Sequence, residues 1–195
     1  CFSDKSLRLE DLEKLKNVAL IPTKLNSQVT TMNARNCLID TGTCDSTVAI
    51  FDIRSGKQCL SKTLPGASEF NPVVSLERSE NLIACSTRDN VCLLDLRNIG
   101  GQFLVEQQTV NSESGVNVAR FIRSADELQL AVTQIGSKTV KVFDTRRSLL
   151  TEKLLKTKRK ILSIAFNKRD FEIAVLEGSE KPVVSFFDAE TMAES

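Results

Sequence analysis

Val48-Ala49-Ile50-Phe51-Asp52 is a short apolar run closed by an aspartate, and the same form returns three times. The other copies are Val91-Cys92-Leu93-Leu94-Asp95, Val140-Lys141-Val142-Phe143-Asp144 and Val183-Val184-Ser185-Phe186-Phe187-Asp188. The four aspartates follow one another at intervals of 43, 49 and 44 residues. Runs of this length and composition read as strands rather than helices.

The text between the anchors repeats as well. A second apolar run precedes each anchor: 36–41, 81–86, 127–133 and 171–176. A third lies ahead of that: 29–32, 73–76, 116–121 and 161–166. A more polar strand follows the first three anchors, at 58–64, 102–110 and 150–155. The two middle runs of each unit are the most continuously apolar, as inner strands covered on both faces should be. The last is the more charged, as suits an outer edge. Turn residues punctuate the runs: Ser55-Gly56, Asn98 to Gly101 and Asn167 to Asp170. A period of roughly 40–45 residues with four strands per repeat points to propeller blades.

The expected fold is therefore all-β, with about four blades of four-stranded antiparallel sheets over residues 18–195. The approximate units are 26–64, 72–110, 115–155 and 161–195. The chain opens at Cys1 and closes just after a strand-like run, so it reads as a fragment of a larger ring, with a self-closed four-blade ring or an open array as the alternatives. Val18 to Ile21 is either the closing strand of the last blade or the outer strand of a preceding one. Residues 1–17 read as a flanking segment with a short helix over Leu7 to Lys16. Leu9, Leu12 and Leu15 would form its apolar stripe and Ser6 its cap.

Composition narrows the function. Apolar residues make up 41% and charged residues 26%, and the net charge is +1, so no global field favours nucleic acid or an anionic membrane. Histidine is absent, which removes the commonest general base and the commonest zinc ligand. No P-loop, GxGxxG or nucleophile elbow occurs, and the acids single out no pair. No enzyme activity, cofactor or metal is expected. The six cysteines lack zinc spacing, and no secretory signal or apolar run long enough to span a bilayer is present. They read as reduced thiols of an intracellular protein, cytoplasmic or nuclear, with disulfides as the lesser alternative.

Phe51-Asp52-Ile53-Arg54, Leu94-Asp95-Leu96-Arg97 and Phe143-Asp144-Thr145-Arg146 resemble the Trp-Asp signature of the WD-repeat family, with Phe or Leu in place of Trp. The resemblance lies in the repeat pattern over residues 18–195. It implies a propeller that acts as a protein-interaction scaffold or adaptor. The family's Gly-His dipeptide is missing, so its buried His-Asp-Ser/Thr-Trp network cannot form. Cohesion between blades should then rest mainly on apolar packing. Asp45 and Asp89 resemble the family's turn aspartate, which can accept backbone N–H groups.

Two groups of side chains could bind partners. Leu38 to Arg54 resembles the box of WD-repeat substrate receptors of cullin ubiquitin ligases. Asp45, Asp52 and Arg54 match it, whereas Asp40 and Phe51 depart from it. The resemblance implies that Arg54, with Arg97 and Arg146 in the corresponding places, contacts a ligase adaptor. The bland alternative is that they solvate a blade edge. The second group is the basic run Lys156, Lys158, Arg159 and Lys160. It could meet an acidic protein, or phosphate on a lipid or nucleic acid. The region is loosely similar to phosphoinositide-binding propellers but lacks their Phe-Arg-Arg-Gly motif. No stacking aromatics flank the run, which argues against nucleic acid. Here too a solvated inter-blade loop is the bland alternative.

Overall fold

The computed structural model describes residues 6–11, 16–22, 27–68, 71–99, 102–111, 115–124, 127–146, 151–167, 171–178 and 181–194. These form seventeen strands, and no helix occurs among them. The chain divides into two compact units, Cys1–Val73 and Val74–Ser195.

In the first unit, β1 (Ser6–Asp11) and β2 (Lys16–Pro22) form a two-stranded antiparallel sheet. The first blade follows as β3 (Val29–Arg35), β4 (Leu38–Thr43), β5 (Thr47–Asp52) and β6 (Lys57–Thr63), paired in chain order. The second blade comprises β7 (Val73–Ser79), β8 (Leu82–Thr87), β9 (Asn90–Ile99) and β10 (Gln102–Asn111). The third is β11 (Val116–Ser124), β12 (Glu127–Gln134), β13 (Thr139–Asp144) and β14 (Thr151–Lys156). The fourth holds β15 (Ile161–Asn167), β16 (Glu172–Glu177) and β17 (Val183–Asp188). These are four successive propeller blades, as the repeat predicts. Beside β17, Glu194 forms an isolated antiparallel bridge with Phe187.

Alternation decides how blades stack. In β12, Leu130 and Val132 face one neighbour while Ala131 faces the other. Leu130, Val132 and Phe143 pack with Ala84, Val91 and Leu93 of the second blade. Ala131, Val140 and Val142 pack with Ile164, Ile173 and Val175 of the fourth. Both faces of the inner strands are thus buried, which explains their near-continuous apolar text. Cys85 and Cys92 sit opposite each other in β8 and β9, both fully buried, and neither is in a disulfide. The side-chain hydrogen bond with Cys92, followed by burial, pushes the Cys85 thiol above its usual range, so it stays protonated.

Polar bonds supplement this apolar packing. In the first unit Thr30 donates to the carbonyl of Val73 at 2.6 Å. In the second, buried Ser75 donates to the carbonyl of Ala119 at 3.1 Å, and Asn117 to that of Leu162 at 2.9 Å. Each partner lies 43 to 45 residues downstream, one repeat period away. Glu77 adds a charge-assisted bond by accepting the Phe121 N–H at 2.8 Å. Short polar side chains on the first strand of a blade thus tie it to the first strand one repeat on.

The helix expected over Leu7 to Lys16 is not formed. Ser6–Asp11 is a strand, Lys16 opens the next one, and residues 12–15 lie outside the described residues. Leu7 pairs with Ile21 and Leu9 with Ala19. Leu7 is buried against Ile39, Ala49 and Phe51 of the first blade. A ten-residue helix is marginal without a partner surface. Pairing with the apolar run Val18 to Ile21 satisfies the backbone and still buries Leu7. That run therefore has a strand partner of its own in β1.

Candidate interaction surfaces

Each blade has two ends. At one lie the turns joining first to second and third to fourth strands. At the other lie the turns joining second to third strands and the connections to the next blade. The candidate arginines sit at the first end and the candidate basic run at the second. Lys156 pairs with Thr139 at one end of β13, whereas Arg146 lies just past Asp144 at the other end, and the six extended residues of β13 span about 20 Å. The two groups are separate surfaces.

At the first end the aspartates hold turns. Asp52 Oδ1 accepts the Arg54 N–H at 2.9 Å, and Asp144 Oδ1 accepts the Arg146 N–H at 2.7 Å. Asp188 Oδ1 accepts from the Glu190 N–H at 3.0 Å, the Thr191 N–H at 2.7 Å and the Thr191 hydroxyl at 2.8 Å. The Arg54 N–H, followed by the Ser55 hydroxyl, holds the Asp52 carboxyl below the usual carboxylate range. The Thr191 N–H and then its hydroxyl do the same for Asp188. The backbone positions of Arg54 and Arg146 are fixed by these bonds while their side chains stay exposed. Arg97 is exposed too, and its guanidinium pairs with Asp95 at 2.6 Å. The fourth blade carries Glu190 at the corresponding place, so the arginine pattern stops at three.

Asp45 departs from its expected role of accepting backbone N–H groups. It accepts the Thr43 hydroxyl, and that hydroxyl oxygen takes the Thr47 N–H at 3.0 Å. Thr87 likewise takes the Asn90 N–H at 3.2 Å, and Ser137 the Thr139 N–H at 3.0 Å. A hydroxyl at the end of the second strand (Thr43, Thr87) or inside the turn (Ser137) is the recurring device.

At the second end, the third and fourth blades bring two loops to the basic run. Thr157 donates its N–H to the carbonyl of Lys138 at 2.8 Å, and Lys156 pairs with Thr139. Arg159 Nη1 donates to the carbonyl of Lys181 at 3.0 Å, and the Gly178 N–H to that of Lys160 at 3.0 Å. Lys138 and Lys181 thereby join Lys156, Lys158, Arg159 and Lys160, and all six are exposed. Buried Glu177 accepts the Arg159 N–H at 3.0 Å, which pins the loop. Lys158 pairs with Glu194 at 3.1 Å. Lys138 and Lys181 escape a reading confined to contiguous charge. They lie 43 residues apart, each just ahead of a third strand, so aligning the repeats would have found them.

Among the described residues no cluster of histidine, cysteine or acid could hold a metal ion. Nor is any helix there long and apolar enough to cross a membrane.

Comparison with known proteins places the chain by fold. No family model and no curated protein matches it. Among solved structures it is similar to a chain of the mitotic checkpoint complex, with a TM-score of 0.74 and 16% identity over 97% of this chain. It is also similar to Raptor of Chaetomium thermophilum, with a TM-score of 0.72 and 16% identity over 94% of this chain. The matched region is 56% of the first chain and 17% of the second, so the sequence spans only part of either. At such identity the shared property is the fold.

Proposed function

We propose that this chain is a non-catalytic, WD-repeat-type scaffold that presents its blade ends to other proteins. The observation that carries this reading is the division of polar groups. Buried Ser75, Glu177 and their counterparts tie strands and loops together, whereas the cations at both ends point to solvent. Rigid blades with exposed, chemically varied ends suit recognition. Photo-cross-linkers placed at positions 146 and 156 should join the chain to discrete protein partners in cell extract. A folded protein that yields no cross-linked partner from either end would refute the reading.

A second, finer reading is a substrate receptor of a cullin-type ubiquitin ligase. It is supported by the exposure of Arg54, whose backbone is held by Asp52 within a stretch resembling the receptor box. Wild-type chain should then retain a ligase adaptor in pull-downs, and the Arg54→Ala, Arg97→Ala variant should lose it. A wild-type chain that captures no adaptor excludes this role and leaves the scaffold reading in place.

A further inference from the structure

The basic end of the third and fourth blades is not purely ionic. Ile135 shares a turn with Lys138, Leu162 lies two residues after Lys160, and Val183 two residues after Lys181. These three side chains are 55%, 44% and 45% exposed, which is high for residues this apolar in a strand-built surface. Backbone bonds draw their segments together. The Ile161 N–H donates to the carbonyl of Ser137 at 2.9 Å, and Arg159 reaches the carbonyl of Lys181. Asn117 holds the carbonyl of Leu162, and the Ile135 N–H donates to that of Gly115, next to Val116 of the same strand as Asn117. The result is one surface in which aliphatic side chains alternate with lysines.

We propose that this surface docks an acidic peptide segment of a partner protein, with aliphatic side chains set among its carboxylates. The inference rests on the scaffold reading and names the partner chemistry for one end of it. Charge complementarity carries the choice. Six cations stand here against Glu194 and the buried Glu177, with Glu180 next to Lys181 in sequence. Lys138, Lys156, Lys160 and Lys181 make no ion pair among the described residues through their ammonium groups. The molecule also supplies its own example of the chemistry. A carboxylate of this chain, Glu194, already sits on Lys158. Ile135, Leu162 and Val183 give a peptide what a bare polyanion cannot use, a set of apolar contacts that fix register. None of the six cations is flanked by an aromatic side chain that could stack on a base.

The test is fluorescence anisotropy with a labelled peptide in which glutamates alternate with leucines. Wild-type chain should bind it, and the Lys138→Glu, Lys181→Glu variant should bind about tenfold or more weakly. Ile135→Ser should weaken binding with no change in charge. Replacing the peptide's leucines with serines should do the same. The Lys57→Glu, Lys62→Glu variant carries the same net charge change on exposed lysines of β6 and should bind as wild type does. Thermal unfolding of each variant confirms that it folds. Peptide affinity unchanged by Lys138→Glu, Lys181→Glu overturns the inference, as does an equal loss in the β6 variant. A chain that sediments with phosphatidylserine vesicles through these lysines, but binds no peptide, overturns it in favour of a membrane. Partners still cross-linked from position 146 in that case would show that the scaffold reading survives.

Discussion

The first and second blades carry the same aspartate on their third strands and diverge after it. After Asp52, Ile53 to Gly56 return the chain to Lys57, which pairs with Asp52. After Asp95, the chain runs on from Leu96 to Val105 before Glu106 pairs with Asp95. Both blades keep the residue after the aspartate bonded to the turn between the first two strands. The Ile53 N–H donates to the carbonyl of Cys37 at 2.9 Å, and the Leu96 N–H to that of Asn81 at 2.6 Å. The difference lies four residues past the aspartate. The tight turn needs a left-handed residue there, and the first blade has Gly56 at φ 65°. The fourth blade uses Met192 at φ 59°. The second blade has Ile99 at this place, and a β-branched side chain strongly resists that conformation. Its strands therefore stay paired as far as Ile99 and Gln102. The repeat's aspartate stabilises a turn that the residue four positions later permits. Without that turn, Asp95 pairs with the Arg97 guanidinium, and its Oδ1 is buried with no hydrogen-bond partner among the described residues.

The two blades can be contrasted most sharply by substitution. Gly42 faces Val48 in the first blade, where the second has Ser86 facing Val91. A Cβ at Gly42 would lie 2.5 Å from Val73 Cγ1 and 2.8 Å from Thr31 Cγ2. Gly42→Val should therefore destabilise the protein by about 3 kcal/mol. Ser86 Oγ is buried without a hydrogen-bond partner among the described residues, so Ser86→Ala should be neutral or stabilising by up to about 1 kcal/mol. Urea denaturation measures both, and equal losses at the two positions would erase this distinction between the blades.

Gly56→Ile should cost about 1–2 kcal/mol, because it forces a β-branched residue into the left-handed region. Conversely, replacing Leu96 to Val105 with Ile-Arg-Ser-Gly should leave a folded second blade with a first-blade turn. Ending the same graft in Ile should lower its stability by a similar 1–2 kcal/mol or so. Thermal melts of the two grafts decide it, and indistinguishable melting would remove the glycine from the explanation.

The smallest effect concerns acid. Asp52 and Asp188 have carboxyls held below the ordinary aspartate value of 3.8. A lowered folded pKa stabilises the fold above 3.8 and loses that contribution as pH falls through the lowered value. The Arg54 and Thr191 amide resonances should then titrate with midpoints below pH 3.8. A midpoint at or above that value would show that these turn bonds do not favour the ionised carboxylate.

Much of the fold was legible because its signal is local. Val140, Val142 and their neighbours alternate faces, and that alternation needs only the chain's own text. The turn at Gly56 was legible for the same reason. The stretch from Leu7 to Leu15 was not, because leucines at short spacing fit a helix face and a strand face about equally well. Arg54, Arg97 and Arg146 could be placed at one blade end by their position after the anchors. Lys138 and Lys181 could not be joined to the run at 156–160 by any contiguous reading, since they lie on different turns.

The sequence by itself determined the period, the four strands of each of the first three blades and the aspartates that end the anchor runs, because these depend on side-chain alternation and turn chemistry within a few residues. Only the tertiary structure decided that Leu7 belongs to a strand, that Ser75 and Asn117 tie strands one repeat apart, and that two lysines complete a basic surface. Those outcomes depend on which segments lie against one another, and stacking of blades fixes that through burial and hydrogen bonds across long sequence separations.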